Sequence, residues 1–94
     1  MGTFKRMIYT IKIKRKVVKK IETLPILVQK KLGRLLLDLR DKGPEQPNWP
    51  NYSKLSQSEY HCHLGYSWVA CWKHEKHTIL IEVYYVGSRE KAPY

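Results

Sequence analysis

The first clear pattern along the chain is an alternation of apolar and polar residues in the stretch MIYTIKIK. Tyr9, Ile11 and Ile13 fall on one side of the alternation, and Thr10 and Lys12 lie between them. A period of two residues is typical of a strand with one buried face. The pattern therefore predicts a first β-strand that turns one side toward a core.

The period then changes to the three-to-four-residue spacing of helices. In RKVVKKIETL, Val17, Val18, Ile21 and Leu24 fall at the spacing of one helical face. This helix should end before Pro25, because the residue that precedes a proline disfavours helical geometry. Pro25 suits the first turn of a second helix, which the sequence DKG at 41–43 ends. The apolar stripe of this second helix consists of Val28, Leu32, Leu35, Leu36 and Leu39.

Three further strands are predicted in the second half of the chain. Residues 43–54, with three prolines and two asparagines, are typical of a structured loop. The strands YHCHL, WVACW and TILIEVYYVG follow, and GYS joins the first two. A tight turn at GYS would place Tyr60, Cys62, Leu64, Val69 and Cys71 on one face. The same register would place His61, His63, Trp68, Ala70 and Trp72 on the other face.

The order of these elements predicts an α+β fold, β-α-α-β-β-β, in a single domain that spans residues 1–94. We expect the helical hairpin to cover one face of a four-stranded, mainly antiparallel sheet. The other face should stay partly open, so that polar side chains on its strands can meet a ligand. The predicted core contains Tyr9, Ile11, Val28, Leu32, Leu36, Cys62, Val69 and Ile81.

Charge adds information about partners. The net charge of +10 is large for 94 residues, and Glu22 is the only acidic residue in the first third of the chain. A polyanion or an acidic protein is the expected partner, although a solvated lysine-rich surface is the plain alternative. The basic residues of this region are Lys5, Arg6, Lys12, Lys14, Arg15, Lys16, Lys19, Lys20, Lys30, Lys31 and Arg34.

The environment of the protein is predicted from what the sequence lacks. No apolar run approaches the ~20 residues that a membrane span needs, and the N-terminus has no apolar stretch typical of a signal peptide. We therefore expect a cytoplasmic protein without a membrane partner. Cys62 and Cys71 are then expected to be two buried, reduced thiols.

The pair His61 and His63 raises the question of chemistry. Zinc is disfavoured because His61 and Cys62 point to opposite faces of a strand, and no metal-binding helix motif is present. The pair can simply be polar residues on a partly solvated sheet. Glu82, isolated in ILIEVYY, is expected on the same open face and needs a polar partner. Acid–base work on a ribose phosphate is therefore the functional alternative, because histidine titrates near neutral pH.

Other residues could support such chemistry. Arg89 follows the last strand, and a guanidinium can hold a phosphate through two hydrogen bonds. Tyr94 can stack on a base or donate to a phosphate oxygen. Trp49 and Tyr52 in the loop could stack on bases, but packing is the more ordinary role of loop aromatics.

Taken together, YTIKIKRKVVKKIETLP, KL at Lys54 and Leu55, YHCHLGYSWVACW and IEVYYVGSREKAPY resemble the RelE/ParE superfamily of bacterial toxins over nearly the whole chain. The resemblance depends on the order of elements, on the hairpin at Gly65, and on the ending with Arg89 and Tyr94. RelE-type members cut messenger RNA on the ribosome without a cofactor. A cognate antitoxin protein neutralises them.

The resemblance implies roles for particular residues. Lys54 matches the family's basic residue near the second strand, and His61 and His63 take the places of two arginines in its YRIR pattern. Arg89 and Tyr94 match the late arginine and the C-terminal tyrosine. The implied catalytic residues are His61, His63, Glu82, Arg89 and Tyr94, and the implied substrate-binding residues are Lys54, Trp68 and Tyr84. No metal site is expected.

Two departures from the family pattern keep other functions open. Trp68 or Val69 stands where the family has an arginine, and Ser88 stands where many members have a histidine. A ParE-like inhibitor of DNA gyrase and a non-catalytic basic module for nucleic acid or antitoxin are the alternatives to an RNA-cutting enzyme.

Overall fold

A computed structural model describes residues 8–94 of the chain. Met7 of the predicted first strand, and Lys5 and Arg6 of the basic region, lie outside the described residues. The elements, in chain order, are β1 (Thr10–Ile13), α1 (Arg15–Ile21), α2 (Ile26–Lys42), β2 (Ser53–Lys54), β3 (Glu59–His63), β4 (Trp68–His74) and β5 (Leu80–Ser88).

The strands of residues 8–94 form a five-stranded sheet in the order β1-β5-β4-β3-β2. β1 runs parallel to β5, and the other neighbours are antiparallel. The predicted α+β class and the mainly antiparallel sheet are confirmed, but the strand number is not. The additional strand, β2, has only two residues and lies inside the predicted loop, where no alternating pattern marks it.

The two helices begin and end close to their predicted limits. α1 is shorter than expected, because Thr23 caps its last turn by donating a hydrogen bond from Oγ1 to the Lys20 carbonyl, 2.7 Å away. Pro25 precedes α2, and its carbonyl accepts the backbone N–H of Val28. Gly43 ends α2 with a φ of 95°, a conformation that favours glycine. A Cβ atom there would also lie 3.0 Å from the Tyr9 ring.

The core lies between the helices and one face of the sheet. Of the predicted core residues, Val28, Leu32, Cys62 and Ile81 are fully buried in it. Three others pack against it while partly exposed: Tyr9, Ile11 and Leu36. The strands contribute Tyr60, Cys62, Ala70, Trp72, Ile81, Val83 and Val86, and the helices contribute Val17, Val28, Leu32, Leu35 and Leu39. Leu24, between the helices, and Leu64, at the start of the β3–β4 turn, complete the core.

The register of the β3–β4 hairpin differs from the predicted one. His61 pairs with Cys71 and His63 pairs with Val69, so Trp68, Ala70 and Trp72 face the helices instead of sharing the histidines' face. The predicted register requires a tight two-residue turn, and the turn in the structure is one residue longer. A shift of one residue moves every side chain of a strand to the opposite face. Val69 is thus buried, but on the sheet face away from the helices.

A β-bulge at Cys71 and Trp72 adds one residue to β5. Cys71 pairs with Tyr85 and Trp72 pairs with Val83, so Tyr84 is the extra residue. Both tyrosines therefore lie between two core-facing valines, Val83 and Val86. No helix within residues 8–94 has the length and apolar character needed to cross a membrane.

The two cysteines point to opposite faces of the sheet. Cys62 is in the core, and Cys71 shares the face of His61. Both thiols are free and fully buried, as the sequence predicts. Burial, with the neighbouring thiol for Cys62 and the Glu59 carboxylate for Cys71, raises the pKa of each to about 12. Both therefore stay protonated at neutral pH.

Candidate active site

The open face of the sheet carries His61 and His63 side by side on β3. Their ring centroids lie 5.8 Å apart, with the ring planes at 60°. Residues two positions apart on a strand share a face, so this neighbourhood follows directly from the sequence spacing. The structure therefore brings together the two histidines that the sequence singles out.

His61 is the more enclosed of the pair, with 7% of its surface exposed. Its Nδ1 lies 3.0 Å from Oγ of Ser53, the residue directly opposite on β2. Burial and then the charge of His63 lower the pKa of His61 below its ordinary 6.5, while a hydrogen bond with the Ser53 backbone partly opposes them. His61 is therefore neutral at pH 7, and its Nε2 is the nitrogen left for exchange with a ligand.

Tyr94 covers one side of His61. The two ring centroids lie 4.4 Å apart at an angle of 48° between the planes, although half of Tyr94 remains exposed. Burial and then the nearby Cys71 thiol raise the pKa of Tyr94 above its ordinary 10.0. The phenol therefore stays protonated and can donate a hydrogen bond.

His63 lies nearer the solvent than His61. Its backbone N–H donates to the Pro50 carbonyl at 2.8 Å, which ties β3 to the loop before it. Burial and then the positive charge of Arg89 lower the pKa of His63 below 6.5. His63 is thus neutral at pH 7 and can accept a proton from a ligand, while the neighbouring Arg89 supplies a permanent positive charge.

Arg89 follows β5 and returns to the hairpin. Its backbone N–H donates to the Ser67 carbonyl at 2.8 Å, and its guanidinium carbon lies 5.9 Å from the centroid of the Tyr66 ring. His63, Tyr66 and Arg89 border one opening of about 340 Å³, which also reaches Asn51 and Lys31. We call this opening the Arg89 cleft.

Glu82 does not join this group. It lies on the open face as predicted, but its carboxylate is 3.6 Å from Nζ of Lys73 and 3.9 Å from Nζ of Lys12. Glu82 pairs with Lys73, and Lys73 pairs with Glu59 on β3. The backbone of Glu82 is therefore two strand spacings, about 10 Å, from β3. It is also displaced from His61 by two residues, about 7 Å, along the strand direction. The prediction that Glu82 clusters with His61, His63 and Arg89 is therefore wrong.

The predicted substrate-binding residues also lie elsewhere. Lys54 is opposite Tyr60, with its Nζ 5.7 Å from that ring, on the side of the sheet that faces the helices. Trp68 packs against the core on the same side. Tyr84 is on the open face, but its hydroxyl donates to Glu59 Oε1 at 2.9 Å. Burial and this hydrogen bond raise the pKa of Tyr84.

Two loop aromatics have structural partners. The Trp49 indole N–H donates to Asp38 Oδ2 at 2.9 Å, and Tyr52 stacks with Tyr60 and Trp72. Sequence patterns do not predict three residues of the site, which are Lys31, Ser53 and Tyr66. Their positions depend on how α2, β2 and the β3–β4 turn pack around β3. Within residues 8–94, no three histidine, cysteine or acidic side chains gather to hold a metal ion.

Comparison with solved structures identifies the fold. The chain matches a chain of the archaeal RelE–RelB complex from Pyrococcus horikoshii OT3 with a TM-score of 0.73 and 18% identity, over 92% of this chain and 100% of that one. It matches a mutant of the E. coli toxin RelE in the free state with a TM-score of 0.71 and 17% identity, over 92% and 88%. For the E. coli DinJ–YafQ toxin–antitoxin complex the values are 0.69 and 16%, over 92% and 98%.

No protein-family model and no curated protein matches the sequence. The structural matches nevertheless agree with one another, because RelE is described as a toxin and YafQ is described in a toxin–antitoxin complex. The chain has the RelE-like toxin fold. The resemblance that the sequence predicts is confirmed at this level.

Proposed function

We propose that this chain is the toxin of a toxin–antitoxin pair and an endoribonuclease that cuts messenger RNA on the ribosome. The observation that supports the proposal most directly is the joint opening of His63 and Arg89 onto one cleft beside the His61–Tyr94 pair. A neutral imidazole can act as the general base of RNA cleavage, and a guanidinium can stabilise the charge that develops on the phosphate. The RelE-like fold, shared with proteins described as toxins, is the second support.

The proposed reaction is an attack of a ribose 2′-hydroxyl on the adjacent phosphate. His63 Nδ1 or Nε2 accepts the hydroxyl proton, and the 2′-oxygen forms a bond to phosphorus. The bond from phosphorus to the 5′-oxygen breaks, and that oxygen leaves with a proton from water, whose hydroxide then takes the proton back from His63. The products are a 2′,3′-cyclic phosphate and a 5′-hydroxyl, so atoms and charge balance without a metal or an added reactant.

The other residues of the site have distinct proposed roles. Arg89 stabilises the charge that develops on the non-bridging phosphate oxygens. His61, held by Ser53 and neutral at pH 7, orients the water that gives its proton to the leaving oxygen. Tyr94 donates a hydrogen bond to a phosphate oxygen or stacks on a base once it moves off His61. Glu82, Lys54 and Trp68 have no part in this proposal, because they lie away from the cleft.

The proposed partner that silences the protein is an acidic antitoxin. The net charge of +10 favours a negatively charged protein as well as RNA. RelE and YafQ have each been crystallised with a second protein, RelB or DinJ. We propose that residues 1–94 act as one toxin domain in the cytoplasm, where ribosomes carry messenger RNA.

Induction of the protein in bacterial cells tests this proposal. Primer extension on abundant messages should find new 5′ ends within minutes for the wild type and none for a variant that combines His61→Gln and His63→Gln. Plasmid supercoiling measured in the same cells should stay unchanged. Intact messages with altered supercoiling would favour a gyrase inhibitor, and RNA binding without cutting would favour a non-catalytic module. Either result contradicts the proposed activity.

A further inference from the structure

A second opening adjoins the proposed active site. It has a volume of about 560 Å³ and lies between α2 and the loop at 48–50. Its lining includes Lys30, Lys31, Arg34, Trp49 and His63. We call it the Trp49 cleft. A volume of this size lies within the range of ligand-binding sites, which runs from about 300 to about 1,000 Å³.

The cations of the Trp49 cleft come from one side of α2. Lys30 and Arg34 are four residues apart and Lys31 and Arg34 are three apart, spacings that place side chains next to each other on a helix. All three side chains are exposed. Asp38, one turn further along, is the acidic group of the lining, and its carboxylate accepts the indole N–H of Trp49.

Trp49 supplies a flat apolar surface next to these cations. One part of the indole packs against the core, and the bond to Asp38 Oδ2 at 2.9 Å fixes its orientation. Aromatic side chains beside positive charges are typical of sites for single-stranded nucleic acid, since bases stack on the ring and phosphates contact the cations. An acidic peptide would use the charges but has no need of the ring.

The Trp49 cleft is continuous with the Arg89 cleft. Lys31, Pro50 and His63 line both openings. A strand whose reacting phosphate lies between His63 and Arg89 therefore has a direct path over Lys31 to Trp49. The adjacency of the two clefts favours a ligand long enough to occupy both.

We infer that the Trp49 cleft binds the part of a single-stranded RNA next to the cleaved bond, with one base stacked on Trp49 and its phosphates on Lys30, Lys31 and Arg34. This inference rests on the proposed function for the placement of the cleaved bond at His63. The binding site itself can be tested without cleavage.

The test measures binding of a fluorescently labelled 2′-O-methyl RNA of ten nucleotides, which lacks the attacking hydroxyl and stays intact. Anisotropy titrations over a range of salt concentrations compare the wild type with the double variant Lys30→Ala/Arg34→Ala. The matched control is Lys16→Ala/Lys19→Ala on α1, which removes the same charge from exposed positions of the other helix. Both variants change surface residues only, so folding should be kept and is checked by thermal unfolding.

Each contact with a single-strand phosphate contributes about 0.7 to the slope of log affinity against log salt. Lys30→Ala/Arg34→Ala should therefore lower the slope by about 1.4, and the control should leave it near the wild-type value. Trp49→Leu should weaken binding by about 5- to 100-fold through lost stacking, and Trp49→Phe should recover most of it.

The inference would be overturned if Lys30→Ala/Arg34→Ala and the control Lys16→Ala/Lys19→Ala changed the salt dependence of RNA binding equally, or if neither changed it. So would a Lys30→Ala/Arg34→Ala protein that binds the RNA normally but loses affinity for an oligoglutamate peptide, because the cleft would then dock a protein. Failure of the proposed function is a separate result: a wild type that binds RNA through this cleft but cuts no message contradicts the activity and leaves the cleft assignment intact.

Discussion

The phenol ring of Tyr94 lies on the imidazole of His61, with 4.4 Å between the ring centroids. Ser53 holds the same imidazole from the neighbouring strand through Nδ1. His61 is consequently enclosed, and burial is the main cause of its lowered pKa. The contact joins the last residue of the described chain to β3, next to the edge of the sheet, and adds to the enclosure of His61.

Replacement of Tyr94 by alanine should raise the pKa of His61 toward 6.5, because water then reaches the ring and stabilises its charged form. Titration of the imidazole C–H signals by NMR gives the value directly. Tyr94→Phe is the control, since it keeps the ring and removes only the hydroxyl. A His61 pKa that is the same in Tyr94→Ala as in the wild type would show that the phenol does not control it.

Arg89→Gln should raise the pKa of His63, because the guanidinium charge is the second cause of its depression after burial. A histidine that acts as a base must be neutral, so the acidic limb of the pH–rate profile should move to higher pH in this variant. Lys91→Gln removes an equal charge two residues further on and should leave the limb in place. An unmoved His63 titration in Arg89→Gln would rule out the electrostatic link.

Stability should depend on pH through the same two histidines. Both pKa values lie below 6.5 in the folded protein, so the unfolded chain binds protons more readily. The free energy of unfolding should therefore be highest above pH 6.5 and fall as the pH drops through the folded-state pKa values. Urea titrations at several pH values should show a flatter dependence for His61→Gln/His63→Gln than for the wild type.

The apolar stripe of α2 provides a matched pair for testing the core. Leu35 is fully buried against the sheet, whereas Leu37 on the same helix is 53% exposed. Leu35→Ala should cost about 2–5 kcal/mol of unfolding free energy through lost contacts and a cavity. Leu37→Ala should stay within about 0.5 kcal/mol of the wild type. Similar losses for both variants, measured by urea unfolding, would contradict the packing of α2 on the sheet.

Local patterns were enough to predict the helices and the placement of His61 and His63 side by side on one face of a strand. α2 has apolar residues at regular helical spacing along its core-facing side, and β1 has a clean alternation of exposed and partly buried residues. Both signals come from residues close together in the chain, where one periodicity decides which side is buried.

The β3–β4 register could not be predicted, because β4 has no alternation. Val69, Ala70, Cys71 and Trp72 are all buried, two of them on each face of the sheet. A buried run of this kind gives no indication of which residues face the helices. The length of the turn decides it, and that length becomes visible only in the folded hairpin.

The prediction that Glu82 lies close to the histidines is wrong for a different reason. Alternation correctly puts Glu82 on the open face, but the position of β5 between β1 and β4 sets its distance from β3. The order of strands in a sheet depends on contacts between distant parts of the chain. The ion pairs with Lys12 and Lys73 are a consequence of that order, and so is the separation from the histidines.

Rates of message cleavage separate the site residues from their neighbours. With purified protein, ribosomes and a defined message, His63→Gln should cut about 10² to 10⁴ times more slowly than the wild type, because a general base is lost. Glu82→Gln and His77→Asn should cut at the wild-type rate, since both positions lie away from the Arg89 cleft. A slow Glu82→Gln variant with normal stability would return Glu82 to the site.

The chemical ends of the cleaved message test the central claim most directly. Attack by the 2′-hydroxyl with His63 and Arg89 predicts a 5′-hydroxyl on one fragment and a 2′,3′-cyclic phosphate on the other. Labelling by polynucleotide kinase without prior phosphatase treatment detects the first, and mass spectrometry detects the second. A message with a 2′-O-methyl group at the cleaved position should stay whole. Fragments with 5′-phosphate ends, or cutting of the methylated message, would contradict the account.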